Sequence, residues 1–239
     1  MSGAHVDLVL KADALGRVER VVAPDGSVRV RRVACGGTIL GSRFVARRLL
    51  AREERALRLL EGLEGVPRLL EVAPGILERS WIEGTPLSRT ESLPQDFFDR
   101  LDDLVRALHA RGVCHNDLHK EQNVLVAADG WPALLDFQLA SIHRPGSRAG
   151  TSRARDDLRH VEKHRRRYTR DGRGPAGVPE SRGAGHGIRR STTALVWRRT
   201  VKPAYVFVTR KLLATRDGEP RRESTGPWPR WSPPLRPGS

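Results

Sequence analysis

The chain has 239 residues, of which 38% are hydrophobic, and this length is enough for one bilobal unit or two small domains with a buried core. Its formal net charge of +15 is typical of nucleic-acid-binding proteins. However, residues 1–143 hold 19 Lys and Arg against 20 Asp and Glu, whereas residues 144–239 hold 24 against 8. The near-neutral first part argues against a nucleic-acid-binding protein and leaves an anionic partner open for the basic C-terminal region.

The sequence carries no signal for export or for membrane insertion. No basic segment followed by an apolar run stands near residue 1, so no signal peptide is predicted. No run of about 18 apolar residues is present, so no transmembrane segment is expected. Two cysteines, Cys35 and Cys114, are too few for a disulfide framework or a metal site. The location indicated is cytoplasmic, with peripheral association with the inner membrane as the alternative.

Residues 5–34 are predicted to form a small antiparallel sheet. Strands are expected at residues 6–10, 17–22 and 27–33, because each run is rich in β-branched residues. The last two are joined by a Pro-Asp-Gly turn that ends at Gly26, a residue that tolerates positive φ.

A helix and two further strands are predicted next. Helical spacing of apolar residues, beginning at Phe44 or Val45, predicts a helix over residues 43–61. Strands are expected at 65–73 and 76–82, and the second runs into a Glu-Gly-Thr-Pro breaker cluster. The clearest helix is predicted over residues 95–111, where Phe97, Leu101, Leu104, Val105 and Leu108 form an apolar stripe.

A β-hairpin is predicted between residues 123 and 137. Asn123 begins one short apolar strand, an Asp-Gly turn follows, and Asp136 ends the partner strand. Antiparallel pairing brings these two side chains together, and Asp117 lies on the loop just upstream. Oxygen ligands that converge at loop and strand ends suit a hard divalent cation such as Mg²⁺.

These residues carry a resemblance to a known family. His115-Asn-Asp117, then Asn123, then Asp136-Phe-Gln resemble the catalytic loop and metal-binding motif of protein kinases. More narrowly, the chain resembles the small bacterial RIO-like serine/threonine protein kinases over residues 8–168 and again over 196–213. This resemblance implies an α+β, compact two-lobed protein-kinase-like fold, with a small N-lobe sheet carrying one helix and a mostly helical C-lobe.

The resemblance also implies roles for the polar residues of the hairpin region. Asp117 would accept the proton of the acceptor hydroxyl, while Asn123 and Asp136 would hold Mg²⁺ on the phosphates of ATP. His119 and Lys120 are the candidates for contact with the transferred phosphate. His115 is expected to be a packed, hydrogen-bonded core histidine.

The third strand should carry the cation that grips the phosphates. Side chains alternate across a strand, so Val30 and Arg32 share one face while Arg29 and Arg31 share the other. We expect Arg32 to point into the cleft and Val30 to pack toward the adenine. The alternative is that all three arginines merely flank a solvent-exposed strand.

The remaining nucleotide contacts follow from the resemblance. On the predicted helix, Glu53 would brace the phosphate-binding cation, although a surface pair of Glu54 with Arg58 fits the same segment. Gly16 lies where the phosphate-binding loop is expected, or in an ordinary hairpin turn. The hinge between the two lobes, with backbone groups that meet the adenine edge, is assigned to Ser80, Trp81 and Ile82.

The division of the chain into lobes and C-terminal segments is also predicted. Asp157 is predicted to lie in a helix under the catalytic loop, where it anchors rather than catalyses. On the resemblance, residues 1–82 form the N-lobe and 83–168 the C-lobe. A loop rich in Gly, Arg and Pro at 169–194 is predicted to be disordered. An aromatic and basic segment at 195–215 is expected to dock on the C-lobe, with contact to membrane or nucleic acid as the alternative, and 216–239 is expected to be a disordered tail.

The function implied is an ATP- and Mg²⁺-dependent phosphotransferase that acts on a hydroxyl, with protein Ser/Thr as the leading acceptor. Two alternatives are a sugar kinase of the lipopolysaccharide type, acting on an envelope-sugar hydroxyl, and a catalytically impaired kinase-like scaffold. The third strand favours the scaffold hypothesis, because it has arginine where kinases carry lysine. The chain departs from the kinase pattern elsewhere too, since Asp117 and Asn123 are six positions apart, not five, and Gln138 replaces a glycine.

Overall fold

The computed structural model describes residues 4–13, 15–35, 41–144 and 146–170. Ten strands and three α-helices are formed within these ranges, together with short 3-10 turns. The strands are β1 (His5–Asp13), β2 (Gly16–Val22), β3 (Val28–Val33), β4 (Leu69–Ala73), β5 (Ile76–Ser80), β6 (Gly84–Pro86), β7 (Val113–Cys114), β8 (Val124–Ala127), β9 (Pro132–Leu134) and β10 (Ser141–Ile142). The helices are α1 (Ser42–Leu59), α2 (Phe97–Ala110) and α3 (Arg148–Arg170).

The N-terminal part is one antiparallel sheet with the strand order β1-β2-β3-β5-β4. The β1–β2 connection is a tight hairpin in which Asp13 pairs with Gly16 and its Oδ1 accepts the Leu15 and Gly16 amides at 2.8 and 3.1 Å. Glycine is needed at position 16 because an added Cβ would lie 2.0 Å from the Val33 carbonyl oxygen on β3. The predicted turn before β3 is also present, and Gly26 has φ 81°.

Helix α1 covers the inner face of this sheet. Its buried positions include Ala46, Leu49, Leu50 and Leu57, which recur at helical spacing. The prediction that Phe44 or Val45 begins the apolar stripe is wrong, since 69% of Phe44 and 40% of Val45 is exposed. The first apolar residue of the buried face is Ala46 instead, which follows buried Ser42 by four residues and precedes Leu49 by three on the same side of the helix.

The C-terminal part is built on α2 and two small sheets. All five residues of the predicted α2 stripe are buried, and they share one core with residues of α1, β5, β8, β9 and α3. The small sheets have the orders β6-β8-β9 and β10-β7. The predicted boundary after residue 82 falls in the connection between β5 and β6.

Helix α3 extends further than the sequence indicated. It contains the predicted helical Asp157 and continues to Arg170, so the first two residues of the segment 169–194 are helical and not irregular. Its buried positions Asp157, Val161, His164 and Tyr168 follow one stripe that faces the rest of the protein. The predictions for the remainder of 169–194, for 195–215 and for 216–239 lie outside the described residues.

Candidate active site

The third strand presents its arginines to two different environments. The register pairs Val30 of β3 with Arg79 of β5 and Arg32 with Leu77, so these four side chains share the inner face of the sheet. On the outer face, Arg31 Nε donates to Glu78 Oε1 at 2.7 Å and Arg29 Nη1 lies 3.6 Å from Glu78 Oε2. Arg32 therefore lies on the face opposite to Arg29 and Arg31, as the alternation of side chains along a strand predicted.

Glu53 of α1 is the buried anion of this inner face. Its side chain has no exposed surface. Arg32 Nε lies 3.2 Å from Glu53 Oε2, and Arg79 Nε lies 3.2 Å from Glu53 Oε1. The alternative surface pair exists as well, because Arg58 Nη2 donates to Glu54 Oε1 at 2.9 Å. Glu53 therefore pairs with two buried arginines of the sheet, whereas Glu54 pairs with an exposed arginine of its own helix.

Arg79 is a member of the cluster that the sequence interpretation missed. It is 6% exposed, and burial, with the neighbouring charge of Arg32, holds its pKa below the usual value. The available signal was its position, since a charged residue at an inward-facing place on a predicted strand needs a buried partner.

Arg32 connects this cluster to the C-terminal part of the protein. Its Nη2 lies 3.5 Å from Oδ1 of Asp136. Burial alone would lower the Arg32 pKa, but Glu53 and Asp136 outweigh it and the pKa is raised. For Asp136, burial has the opposite effect and raises the pKa. The positive charge of Arg32 more than reverses this rise, so the net shift is downward and the carboxylate is ionised.

The candidate catalytic loop, residues 115–123, surrounds Asp117 with a lysine, a histidine and an amide. Lys120 Nζ lies 3.0 Å from Asp117 Oδ2, and His119 Nδ1 lies 3.1 Å from Oδ1. Asn123 Nδ2 donates to both the backbone oxygen and Oδ2 of Asp117, each at 3.0 Å. Burial raises the pKa of Asp117, but His119 and Lys120 outweigh it and the net shift is downward. Asn123 thus reaches Asp117 although the two are six positions apart, because the chain between them folds into a 3-10 turn at Glu121–Asn123.

Asn123 and Asp136 lie close together, but not as strand ends. Asn123 closes a 3-10 turn just before β8, and Asp136 follows β9 by two residues with φ 64°. The prediction that these residues begin and end the paired strands is wrong, because Pro132–Leu134 is a three-residue strand and the backbone turns at Asp136 into the next 3-10 turn. The two segments are nevertheless joined, since the Leu135 amide donates to the Asn123 carbonyl at 2.9 Å.

The oxygen atoms of this region fit a hard cation. Asp117 Oδ1 and Asp136 Oδ1 are buried, and their nearest cationic or histidine partners among the described residues, His119 and Arg32, lie beside them without a well-formed hydrogen bond. With the side-chain oxygen of Asn123, they form the carboxylate and amide set that suits Mg²⁺. The two carboxylates also influence each other, because the Asp117 charge raises the Asp136 pKa.

Asp157 of α3 holds the catalytic loop from behind. Its carboxylate accepts the backbone amides of His115 and Asn116 at 2.8 and 2.9 Å and lies 3.1 Å from His109 Nε2. Asn116 has φ 64°, so these bonds fix a backbone conformation that asparagine tolerates better than most residues. His115 is fully buried, and its Nε2 lies 2.9 Å from the Leu135 carbonyl, which agrees with the packed role expected for it.

The same helix contacts the catalytic loop at two more turns. His164 Nε2 lies 2.7 Å from the Leu118 carbonyl, and the Tyr168 hydroxyl donates to the Leu87 carbonyl at 2.7 Å and to Glu121 Oε2 at 3.0 Å. These two residues were not identified from the sequence as loop supports. Their spacing from Asp157, seven and eleven positions, places all three on one helical stripe.

Cys114 lies beside His109 and Asp157, and the three donor atoms are within 4.8 Å of one another. Hydrogen bonds account for this grouping, because both Asp157 oxygens accept backbone amides and the thiol donates to the Gly150 carbonyl at 3.7 Å. Burial and the Asp157 charge raise the pKa of Cys114 to about 12, so the thiol is protonated.

A cleft opens between the β1–β2 hairpin, β3 and the segment after Asp136. It is lined by Gly16, Arg32 and Gln138, among others. Val30, buried on the inner face of the sheet with 4% exposure, does not line this cleft, and neither do the predicted hinge residues. Of the three predicted hinge residues, Ser80 ends β5 and uses its amide to donate to the Arg68 carbonyl at 2.8 Å. Trp81 and Ile82 follow in the connection to β6, where Trp81 Nε1 donates to Glu83 Oε2 at 2.6 Å.

Comparison with known proteins identifies the fold. No protein-family model matches the sequence, and no curated protein matches it either. Among solved structures, the chain is similar to the Rio2 kinase–ADP/Mg²⁺–phosphoaspartate complex from Chaetomium thermophilum, with a TM-score of 0.55 and 14% sequence identity. The alignment covers 75% of this chain and 59% of that chain, so this chain matches less than two thirds of the Rio2 kinase.

The protein therefore has an α+β, protein-kinase-like fold, which confirms the fold class expected from the sequence. None of the helices among the described residues is both long and apolar enough to cross a membrane.

Substitution of Asp157 tests the support of the catalytic loop. Asp157→Ala leaves the buried amides of His115 and Asn116 without an acceptor, and we expect the free energy of unfolding to fall by about 3 kcal/mol, measured by urea denaturation. The matched control is Asp156→Ala, which removes only a partly exposed pair with Arg159 and should cost less than about 1 kcal/mol. Equal losses in the two variants would contradict the anchoring role.

Proposed function

We propose that the protein is an ATP- and Mg²⁺-dependent phosphotransferase that moves the γ-phosphoryl group to a hydroxyl acceptor. The observation that carries the proposal is a chain of contacts in which Glu53 pairs with Arg32 and Arg32 pairs with Asp136, while Asp117, hydrogen-bonded to Asn123, interacts electrostatically with Asp136. Phosphoryl transfer depends mostly on positioning and charge neutralisation, and this arrangement offers both.

Each residue of the site has a role in this proposal. Asp117 would orient the acceptor hydroxyl and take its proton, and its lowered pKa keeps it ionised for that task. Arg32 and Lys120 would grip the phosphates, with Glu53 holding Arg32 in position. Asn123 and Asp136 would hold Mg²⁺, which would neutralise charge on the phosphate oxygens.

The nucleotide would enter the cleft beside β3. In this proposal, Gly16 lies near the phosphates because its lack of a side chain leaves the hairpin close to β3. Val30, which is buried on the inner face of β3, would pack toward the adenine. The adenine edge would meet backbone groups near Trp81 and Ile82. Ser80 contributes less than its neighbours, since its amide already donates to the Arg68 carbonyl.

The finer assignment is to the small bacterial RIO-like serine/threonine protein kinases, with a protein Ser/Thr as acceptor. It is supported by the motif residues in the sequence and by the similarity to a Rio2 kinase bound to ADP and Mg²⁺. A sugar hydroxyl, as in lipopolysaccharide kinases, satisfies the same catalytic geometry. Incubation with ATP, Mg²⁺ and either protein or sugar acceptors, followed by mass spectrometry, separates the two because the phosphorylated product differs.

A catalytically impaired scaffold is the second candidate, and one observation favours it. Arg32 is already paired with two carboxylates, so a nucleotide phosphate must compete with Asp136 for its guanidinium. This candidate predicts nucleotide binding without turnover, whereas the phosphotransferase predicts ADP formation that requires Mg²⁺.

The metal role is tested by Asp136→Asn. Asparagine tolerates the positive φ at this position, so the fold should survive, but it removes the carboxylate charge that Mg²⁺ prefers. We expect Mg²⁺-dependent ATP turnover to be lost while the circular dichroism spectrum is unchanged. Asp129→Asn, at the exposed tip of the β8–β9 hairpin, should turn over ATP like the wild type. Normal turnover in Asp136→Asn would remove the metal assignment.

The phosphate grip is tested by two neighbouring arginines. Arg32→Ala should weaken ATP binding and turnover together by about 2–4 kcal/mol, because it removes the cation that faces the cleft. Arg31→Ala should leave turnover intact, since Arg31 contacts Glu78 on the other face of the sheet and Arg29 remains beside that carboxylate. The opposite result, with Arg31→Ala damaging and Arg32→Ala silent, would overturn the residue assignment.

A further inference from the structure

Arg79 is a buried cation with no counterpart among the roles proposed so far. Only 7% of its side-chain surface is exposed, compared with 11% for Arg32. The two arginines lie side by side on the inner face of the sheet, on the adjacent strands β3 and β5. Because an isolated buried charge is very costly, a permanently charged side chain at this depth needs a specific partner.

That partner is the Glu53 carboxylate, which Arg79 shares with Arg32. The two guanidinium groups approach different oxygens, since Arg79 Nε faces Oε1 and Arg32 Nε faces Oε2, each at 3.2 Å. Ion pairs at both oxygens restrict the rotation of this carboxylate away from either arginine. Arg79 thus fixes the orientation in which Glu53 meets Arg32.

The net charge of this cluster depends on Arg79. Arg32 and Arg79 are balanced by Glu53 and Asp136, so the group of four is neutral as described. In the proposed function the Asp136 carboxylate binds Mg²⁺. Arg32, Arg79 and Glu53 then carry one net positive charge. Without Arg79, Glu53 would neutralise Arg32 completely, and no net charge would be left for the phosphates.

We propose that Arg79 is a positioning residue of the nucleotide site, which holds Glu53 and thereby leaves the charge of Arg32 available to the phosphates of ATP. The inference rests on the proposed function. Arg79 acts through Glu53, and its own contact is with that carboxylate. A purely structural role would behave differently, because removing one partner of a buried ion pair would lower the stability of the protein and leave the KM for ATP unchanged.

The test is Arg79→Met, which keeps an unbranched apolar stem of similar length and removes the charge. Glu53 keeps Arg32 as a partner, so no buried carboxylate is left unpaired. We expect the KM for ATP to rise roughly ten- to a hundredfold, the loss typical of one charge-assisted interaction. Arg79→Lys should recover part of this loss, since it restores the charge. Arg79→Gln gives the same comparison if the methionine variant does not fold.

The matched control is Arg31→Met, which removes an arginine paired with a glutamate on the opposite face of the same strand pair. Its KM for ATP should equal that of the wild type, even if its melting temperature falls. An unchanged KM in Arg79→Met, with only a lower melting temperature, would show that Arg79 is structural and would overturn the inference.

A double-mutant cycle with Glu53→Gln separates action through Glu53 from direct contact with the nucleotide. Once Glu53 has lost its charge, Arg79→Met should change the KM for ATP by less than about twofold. A full additional loss in that background would contradict the positioning role. Failure of the wild type to bind or turn over ATP would refute the proposed function itself, whereas turnover with an unaffected Arg79→Met variant would refute only the role of Arg79.

Discussion

The burial of the Glu53 carboxylate is the constraint on which the rest of the site depends. A carboxylate without water contact is stable only if cations replace its hydration, and here two arginines do so from two adjacent strands. This requirement fixes α1 against the sheet at the depth of Glu53. It also fixes the inner face of β3, because only the alternation that points Arg32 inward brings a cation to Oε2.

Arg32 extends this constraint across the cleft to Asp136. The β9 strand ends two residues before Asp136, and the following backbone turns with positive φ, which aims the carboxylate at the sheet. The catalytic loop is held independently by α3, through Asp157, His164 and Tyr168. The site therefore has one support in the N-terminal part and one in the C-terminal helix, and Asp136 lies where the two meet.

Much of this arrangement could be predicted from local sequence patterns. Alternation along β3 separated Arg32 from Arg29 and Arg31, and the Asp-Gly turn located the hairpin that carries Asn123 and Asp136. Helical periodicity gave α2 with its five buried apolar residues. Each of these predictions uses residues that are close in sequence, where the geometry of one strand, turn or helix decides the outcome.

The long-range partners could not be predicted in the same way. Nothing near Arg79 in the sequence indicates that its partner is a glutamate 26 positions earlier, on α1. The helix that supports the catalytic loop begins only at Arg148, and its contacts depend on how it packs against α2 and β7. The exact start of the α1 stripe also escaped prediction, because apolar Phe44 and Val45 lie on the exposed side while the smaller Ala46 is buried.

The most direct test of the account is a crystal structure of the protein with Mg²⁺ and a non-hydrolysable ATP analogue. We expect the metal on Asn123 and Asp136, the terminal phosphates within hydrogen-bond distance of Arg32, and Arg79 still on Glu53. A nucleotide bound outside the cleft, or Arg32 still paired with Asp136 while the phosphates lie elsewhere, would contradict the central claim that this cluster of charges forms a phosphoryl-transfer site.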